Sequence, residues 1–245
     1  MLIAAAVCPH PPLLIPAATG VSGPGDMELE RLRAACHAAV AALRAAAPDL
    51  IVVAGGAERT GDYPPETPGG LREFGVPAGA GDNDDRGSSA VLPLSLTIGK
   101  WLLARPATDA MTVRSEPPTA WWGIAADAPA GECLELGGKI AALAPRVALL
   151  AMGDGPGRRA RGAPGARDSA ADRYDEEVAA ALAAPSPHAL AALDPAADGE
   201  LFIAGRAAWQ VLAGAAGQDD FAAALAYAAA PFEVSYFVAS WRRAD

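Results

Sequence analysis

Two short, wholly apolar runs, residues 2–7 and 50–54, bracket one long amphipathic stretch, and that spacing constrains the fold more than any other feature. Between them Leu29, Leu32, Cys36, Val40 and Leu43 recur at intervals of three and four, the period of a single buried helix face. This predicts a helix over residues 27–46. An apolar run of five or six residues with no polar alternation reads as a strand buried on both faces. Strand, helix, strand at this length is a βαβ unit, in which the two strands run parallel.

The same reading carries along the chain. Helices are predicted over 93–103, 133–143, 169–183, 187–193 and 198–213, a short strand over 110–114, and a buried strand over 147–152. Strands over 225–227 and 234–241 flank the turn at Pro231-Phe232. Residues 55–91 are rich in Gly, Pro and Asp and read as a long loop, which in a compact domain is a lid, a binding loop or disordered. The expected fold class is α/β: one domain over residues 1–245, with a central, mostly parallel sheet flanked by helices and a C-terminal hairpin-like pair of strands.

Composition narrows the partners. With 245 residues, 52% of them hydrophobic, the chain can bury one large core. A formal net charge of -10 repels phosphate backbones and anionic membrane surfaces, so neither nucleic acid nor membrane is an expected partner. Residues 2–7 are too short to span a bilayer and lack the basic start of a signal peptide, and no later apolar run reaches about 18 residues. Three widely spaced cysteines, Cys8, Cys36 and Cys133, suggest neither a disulfide framework nor a zinc site. A reducing, cytoplasmic location is expected.

Three strands end in loops rich in Pro, Gly and polar residues, and ligands of open α/β sheets bind at such carboxyl ends. His10 lies between prolines directly after the first strand, where the backbone is held on both sides; it is a fixed ligand or a hydrogen-bonded turn residue. Glu58 follows the second strand and is a metal ligand, a base or a solvated carboxylate. Asp154 follows the strand over 147–152 and either orients a ligand or caps the next turn. Arg158 and Arg159 open a basic, Gly-rich stretch that could hold an anionic substrate group, the alternative being a solvated loop. Glu200 stands at a helix start, favoured there by the dipole and short enough to reach a metal. His37 reads as a boundary residue and His188 as exposed.

The opening Ala6-Val7-Cys8-Pro9-His10-Pro11-Pro12-Leu13-Leu14-Ile15-Pro16 resembles the start of the class III extradiol ring-cleavage dioxygenase family, in an uncharacterised actinobacterial branch. Similar matches are Pro48-Asp49-Leu50-Ile51-Val52-Val53, Met152-Gly153-Asp154-Gly155, Gly205-Arg206-Ala207-Ala208-Trp209-Gln210-Val211-Leu212 and Ala230-Pro231-Phe232-Glu233-Val234-Ser235-Tyr236-Phe237. The resemblance implies an iron enzyme that binds a catechol-type aromatic and O2 together on Fe(II) held by two histidines and one carboxylate. It places His10 at the first histidine. At the second it finds Glu58, after Gly55-Gly56-Ala57, and near the carboxylate it finds Glu200. The acid-base histidine would follow Asp154, where Gly155-Pro156-Gly157 stands, so Asp154 is the catalytic candidate there.

The implied site is therefore His10, Glu58 and Glu200 for metal, Asp154 for catalysis, and Arg158 and Arg159 for substrate, holding Fe(II), another divalent ion or none. Two functions are expected from this: a ring-cleavage dioxygenase with a depleted histidine set, or a non-catalytic member acting as a binding module or as one component of a complex. A homodimer or a complex with a second, different chain is the expected assembly.

Overall fold

The computed structural model describes residues 1–19, 26–75, 91–104, 117–157 and 169–244. Its strands are β1 (Leu2–Cys8), β2 (Leu50–Ala57), β3 (Gly61–Tyr63), β4 (Thr119–Ala125), β5 (Val147–Met152), β6 (Phe221–Ala229) and β7 (Tyr236–Arg243). They form one sheet in the order β3-β4-β2-β5-β1-β7-β6. The central four, β4, β2, β5 and β1, are parallel, while β3 at one edge and β7 and β6 at the other are antiparallel to their neighbours.

The helices are α1 (Pro16–Thr19), α2 (Asp26–Ala45), α3 (Leu94–Ala104), α4 (Ala130–Ala141), α5 (Ser169–Ala183), α6 (Pro187–Ala191), α7 (Ala196–Leu201) and α8 (Arg206–Ala216). Single 3-10 turns lie at Pro12–Leu14 and Arg72–Phe74. Among the described residues no helix is long and apolar enough to cross a membrane.

Every residue of β1 and β5 is buried, as an apolar strand with helices on both faces requires. The side chains divide with the two-residue period of a strand. Val147, Leu149 and Ala151 face the core under α4, α5, α6 and α8, and Ala148, Leu150 and Met152 face the core under α2 and α3. The chain leaves β1 and β2 toward α2 and α3 on one face. It leaves β5, which lies between those strands, toward α5 on the other. That divergence opens a crevice at the carboxyl ends of β1, β5 and β2.

The predicted βαβ unit forms, with β5 inserted between its two parallel strands. The strand at 50–54 runs on through Gly55 and Gly56 to Ala57. A side chain at Gly55 would stand 2.7 Å from Ser95 Cβ of α3, so glycine continues the strand there rather than ending it. β4 stands where no strand was expected, and the predicted strand over 110–114 lies outside the described residues. The helix expected over 198–213 is two helices, because Phe202 adopts a left-handed conformation (φ 56) that ends α7.

Candidate functional site

The segment after β1 is fixed at both ends. Its backbone enters through Cys8 and Pro9, and the carbonyl of Cys8 accepts from the Gly153 N–H at 3.0 Å, carrying the β1–β5 pairing one step past the strands. At the far end Arg33 of α2, itself buried, donates through Nε to the carbonyl of Leu14 and through Nη2 to that of Leu13, both at 2.8 Å. Between these anchors lies His10.

The His10 backbone N–H donates to Asp154 Oδ1 at 2.7 Å, and the imidazole Nδ1 stands 3.5 Å from the same oxygen. Only 9% of His10 is exposed, and Nδ1 is buried without a hydrogen-bond partner. Asp154 in turn accepts, through its own carbonyl, from the Ala204 N–H at 3.1 Å, so one residue joins the His10 segment to the α7–α8 connection. This close approach needs glycines behind it. A Cβ on Gly153 would lie 2.4 Å from Gly205 Cα.

Three further groups, Cys8, Cys36 and Tyr236, surround Asp154 from the α2 face. The Cys36 thiol, hydrogen-bonded to Cys8, is pushed well up by burial first, then by Cys8 and by the Asp154 carboxylate. The Tyr236 hydroxyl is also pushed up, by burial and then by the Asp154 charge. Both groups stay protonated at neutral pH. Sequence reasoning missed them. Cys8 adjoins the Pro9-His10 turn, but Cys36 and Tyr236 join it only through the packing of α2 and β7 on β1.

Asp154 and His10 thus meet as the strand ends required. The other candidates do not join them. Glu58 directly follows β2 at the same edge but is exposed, and Glu200 is exposed on α7. Among the described residues no group of three or more His, Cys, Asp or Glu side chains could hold a metal ion. Arg158 and Arg159 lie outside the described residues. The chain has three histidines in all. His37 packs against Trp101 with ring centroids 5.5 Å apart, and His188 is exposed on α6. A two-histidine, one-carboxylate donor set for Fe(II) is therefore not assembled around His10.

The Asp154 contact gives a direct prediction. Asp154→Asn keeps an acceptor for the His10 N–H and should unfold in urea near the wild-type midpoint. Asp154→Leu strands that N–H at a part-buried site, and should cost about 1–3 kcal/mol. Hydrogen exchange at the His10 amide should speed up in the leucine variant alone; equal exchange in both would show that the carboxylate is not its acceptor.

No protein-family model matches the chain, and no curated protein sequence matches it. Among solved structures, the crystal structure of uncharacterized protein JW3007 from Escherichia coli K12 matches with a TM-score of 0.44 at 16% identity, over 97% of this chain and 99% of that one.

Proposed function

We propose that this chain is a cytoplasmic, non-catalytic member of the class III extradiol dioxygenase-like family, a binding module that holds a small hydrogen-bonding ligand at His10 without metal. The observation that carries this reading is a nearly buried imidazole, in a segment fixed by Asp154 and Arg33, with no second histidine grouped beside it among the described residues. A lone imidazole beside one carboxylate offers a ligand a directional polar contact. It does not offer the donor set that retains iron with open positions. The rigid segment between prolines also lowers the ordering cost of binding. Cys8 and Cys36, buried and adjacent yet free thiols, support a reducing compartment.

The test has two arms on the same protein. Ligand-observed NMR with a library of small polar and aromatic compounds should find binders whose signal is lost in His10→Ala, while that variant keeps its native circular dichroism. Fe(II) titrated anaerobically should show no stoichiometric binding, and catechol should give no oxygen uptake afterwards. Stoichiometric iron, with catechol-dependent uptake that His10→Ala abolishes, would replace this reading with the dioxygenase.

A further inference from the structure

The two edges of the sheet are treated differently. β3 closes one edge with only three residues and places the exposed Asp62 in the middle, a short and charged edge of the kind that prevents strand addition. β6 closes the other with nine residues, Phe-Ala-Ala-Ala-Leu-Ala-Tyr-Ala-Ala, without charge or proline. Among the described residues no strand pairs with its outer side. The register of β6 against β7 shifts between Leu225 and Tyr227, so the regular part of the edge is residues 221–225.

That five-residue run is a palindrome in size: large, small, small, small, large. We propose that β6 pairs antiparallel with β6 of a second copy about a two-fold axis at Ala223, joining two sheets into one. In this register Phe221 stands opposite the partner's Leu225, and Ala222 opposite the partner's Ala224. Phe221 and Leu225 are half-buried on the α5 face, where the Phe221 ring lies 5.9 Å from that of Trp241. Pairing covers their remaining exposed surface and forms two aromatic–aliphatic cross-strand pairs. Ala222 and Ala224 are exposed on the opposite face and meet without a clash. Every contact occurs twice, as an isologous interface demands.

Charge selects the second copy's orientation. Asp219 and Asp220 precede the strand. A parallel pairing in register would set them beside the partner's Asp219 and Asp220. The antiparallel register sets them opposite the partner's Tyr227 and Ala226, both uncharged. Each copy still carries a formal charge of -10, so the association tightens as salt screens the pair.

Sedimentation equilibrium of the full chain over about 1–200 µM, a range suited to a small interface, should show a concentration-dependent dimer that strengthens with added salt. The double variant Ala222→Lys, Ala224→Lys should be monomeric throughout, with unchanged circular dichroism and melting, because both positions are exposed. Ala222→Glu, Ala224→Glu should be monomeric as well. An equimolar mixture of the two should form a one-to-one heterodimer, since position 222 of one copy faces position 224 of the other. A monomeric wild type at the top concentration overturns the proposal. So does a dimer that survives the lysine pair, or a mixture that stays dissociated. Ligand binding at His10 has no bearing on any of these readouts.

Discussion

Gly214→Val is expected to lower the unfolding free energy by about 3–5 kcal/mol, a large part of what a domain of this kind has in total. α4 and α8 cross backbone against backbone. A Cβ on Gly214 would lie 2.1 Å from the Leu134 carbonyl oxygen, and one on Gly137 would lie 2.1 Å from that of Val211. An oversized side chain in a core ordinarily costs about 1–3 kcal/mol, because neighbouring side chains shift to other rotamers. Here the obstacle is main chain on both sides, so the helices themselves must part. α8 is almost entirely buried, and moving it opens voids against β5 and α6. Gly138, the next residue of α4, supplies the control. Nothing lies within 4 Å of a Cβ there, and Gly138→Ala should stabilise the helix by about 0.5–1 kcal/mol. Urea unfolding followed by circular dichroism separates the two. Equal, small effects would mean that the helices are not in contact at Gly214.

The sequence discloses those parts of the fold that local pattern alone determines. β5 and α5 fall on the predicted residues, because an unbroken apolar run bounded by polar turns and an amphipathic stretch each admit one reading. β4 was not legible. Its Trp-Trp-Gly core alternates only weakly, since one neighbour is the three-residue edge strand β3 and several of its positions stay half-buried. The break between α7 and α8 was not legible either. Residues 196–216 are rich in helix-forming alanine, and what interrupts them is tertiary. Trp209 folds back over Gly205, where a Cβ would come within 2.3 Å of its ring.

The same distinction runs through the site. His10 and Asp154 were legible because a strand end followed by Pro or Gly marks the ligand edge of such sheets. That Asp154 grips the His10 main chain at 2.7 Å, with the imidazole at 3.5 Å, depends on coordinates. Glu200 shows the limit of spacing arguments. It lies two residues beyond Asp198, roughly 200° around a helix, so one carboxylate turns inward to Arg206 while the other faces water.

That inward pair yields the second large effect. Arg206 is 1% exposed and satisfied on every side. Nε donates to Asp198 Oδ2 at 2.7 Å, Nη1 to the Ala128 carbonyl and Gln210 Oε1 at 2.8 Å each, and Nη2 to the Ala126 carbonyl at 2.6 Å. Gln210 extends the network to the carbonyls of Ala191 and Leu193. One guanidinium thus ties α8 to α7, to the β4–α4 turn and, through Gln210, to the end of α6. Arg206→Met keeps much of the volume but leaves Asp198 charged, half-buried and unpaired, and should cost about 3–5 kcal/mol at neutral pH.

The cost should depend on pH in a defined direction. Burial raises the Asp198 carboxyl above its ordinary value, and Arg206 holds it back. Without the arginine it rises further. The folded variant then binds a proton more tightly than the unfolded chain does, so its stability falls as pH climbs from the unfolded carboxyl value, about 3.9, through the folded one. Relative to wild type, Arg206→Met should therefore be most destabilised at pH 7 and recover as the solution is acidified toward that lower value. Adding Asp198→Asn removes the stranded charge, and should restore part of the loss at pH 7 and flatten the pH dependence. Urea midpoints of the wild type and both variants across pH test this. A deficit in Arg206→Met that is the same at every pH, untouched by Asp198→Asn, would mean that lost packing around the guanidinium, rather than the carboxylate it leaves behind, sets the stability of this region.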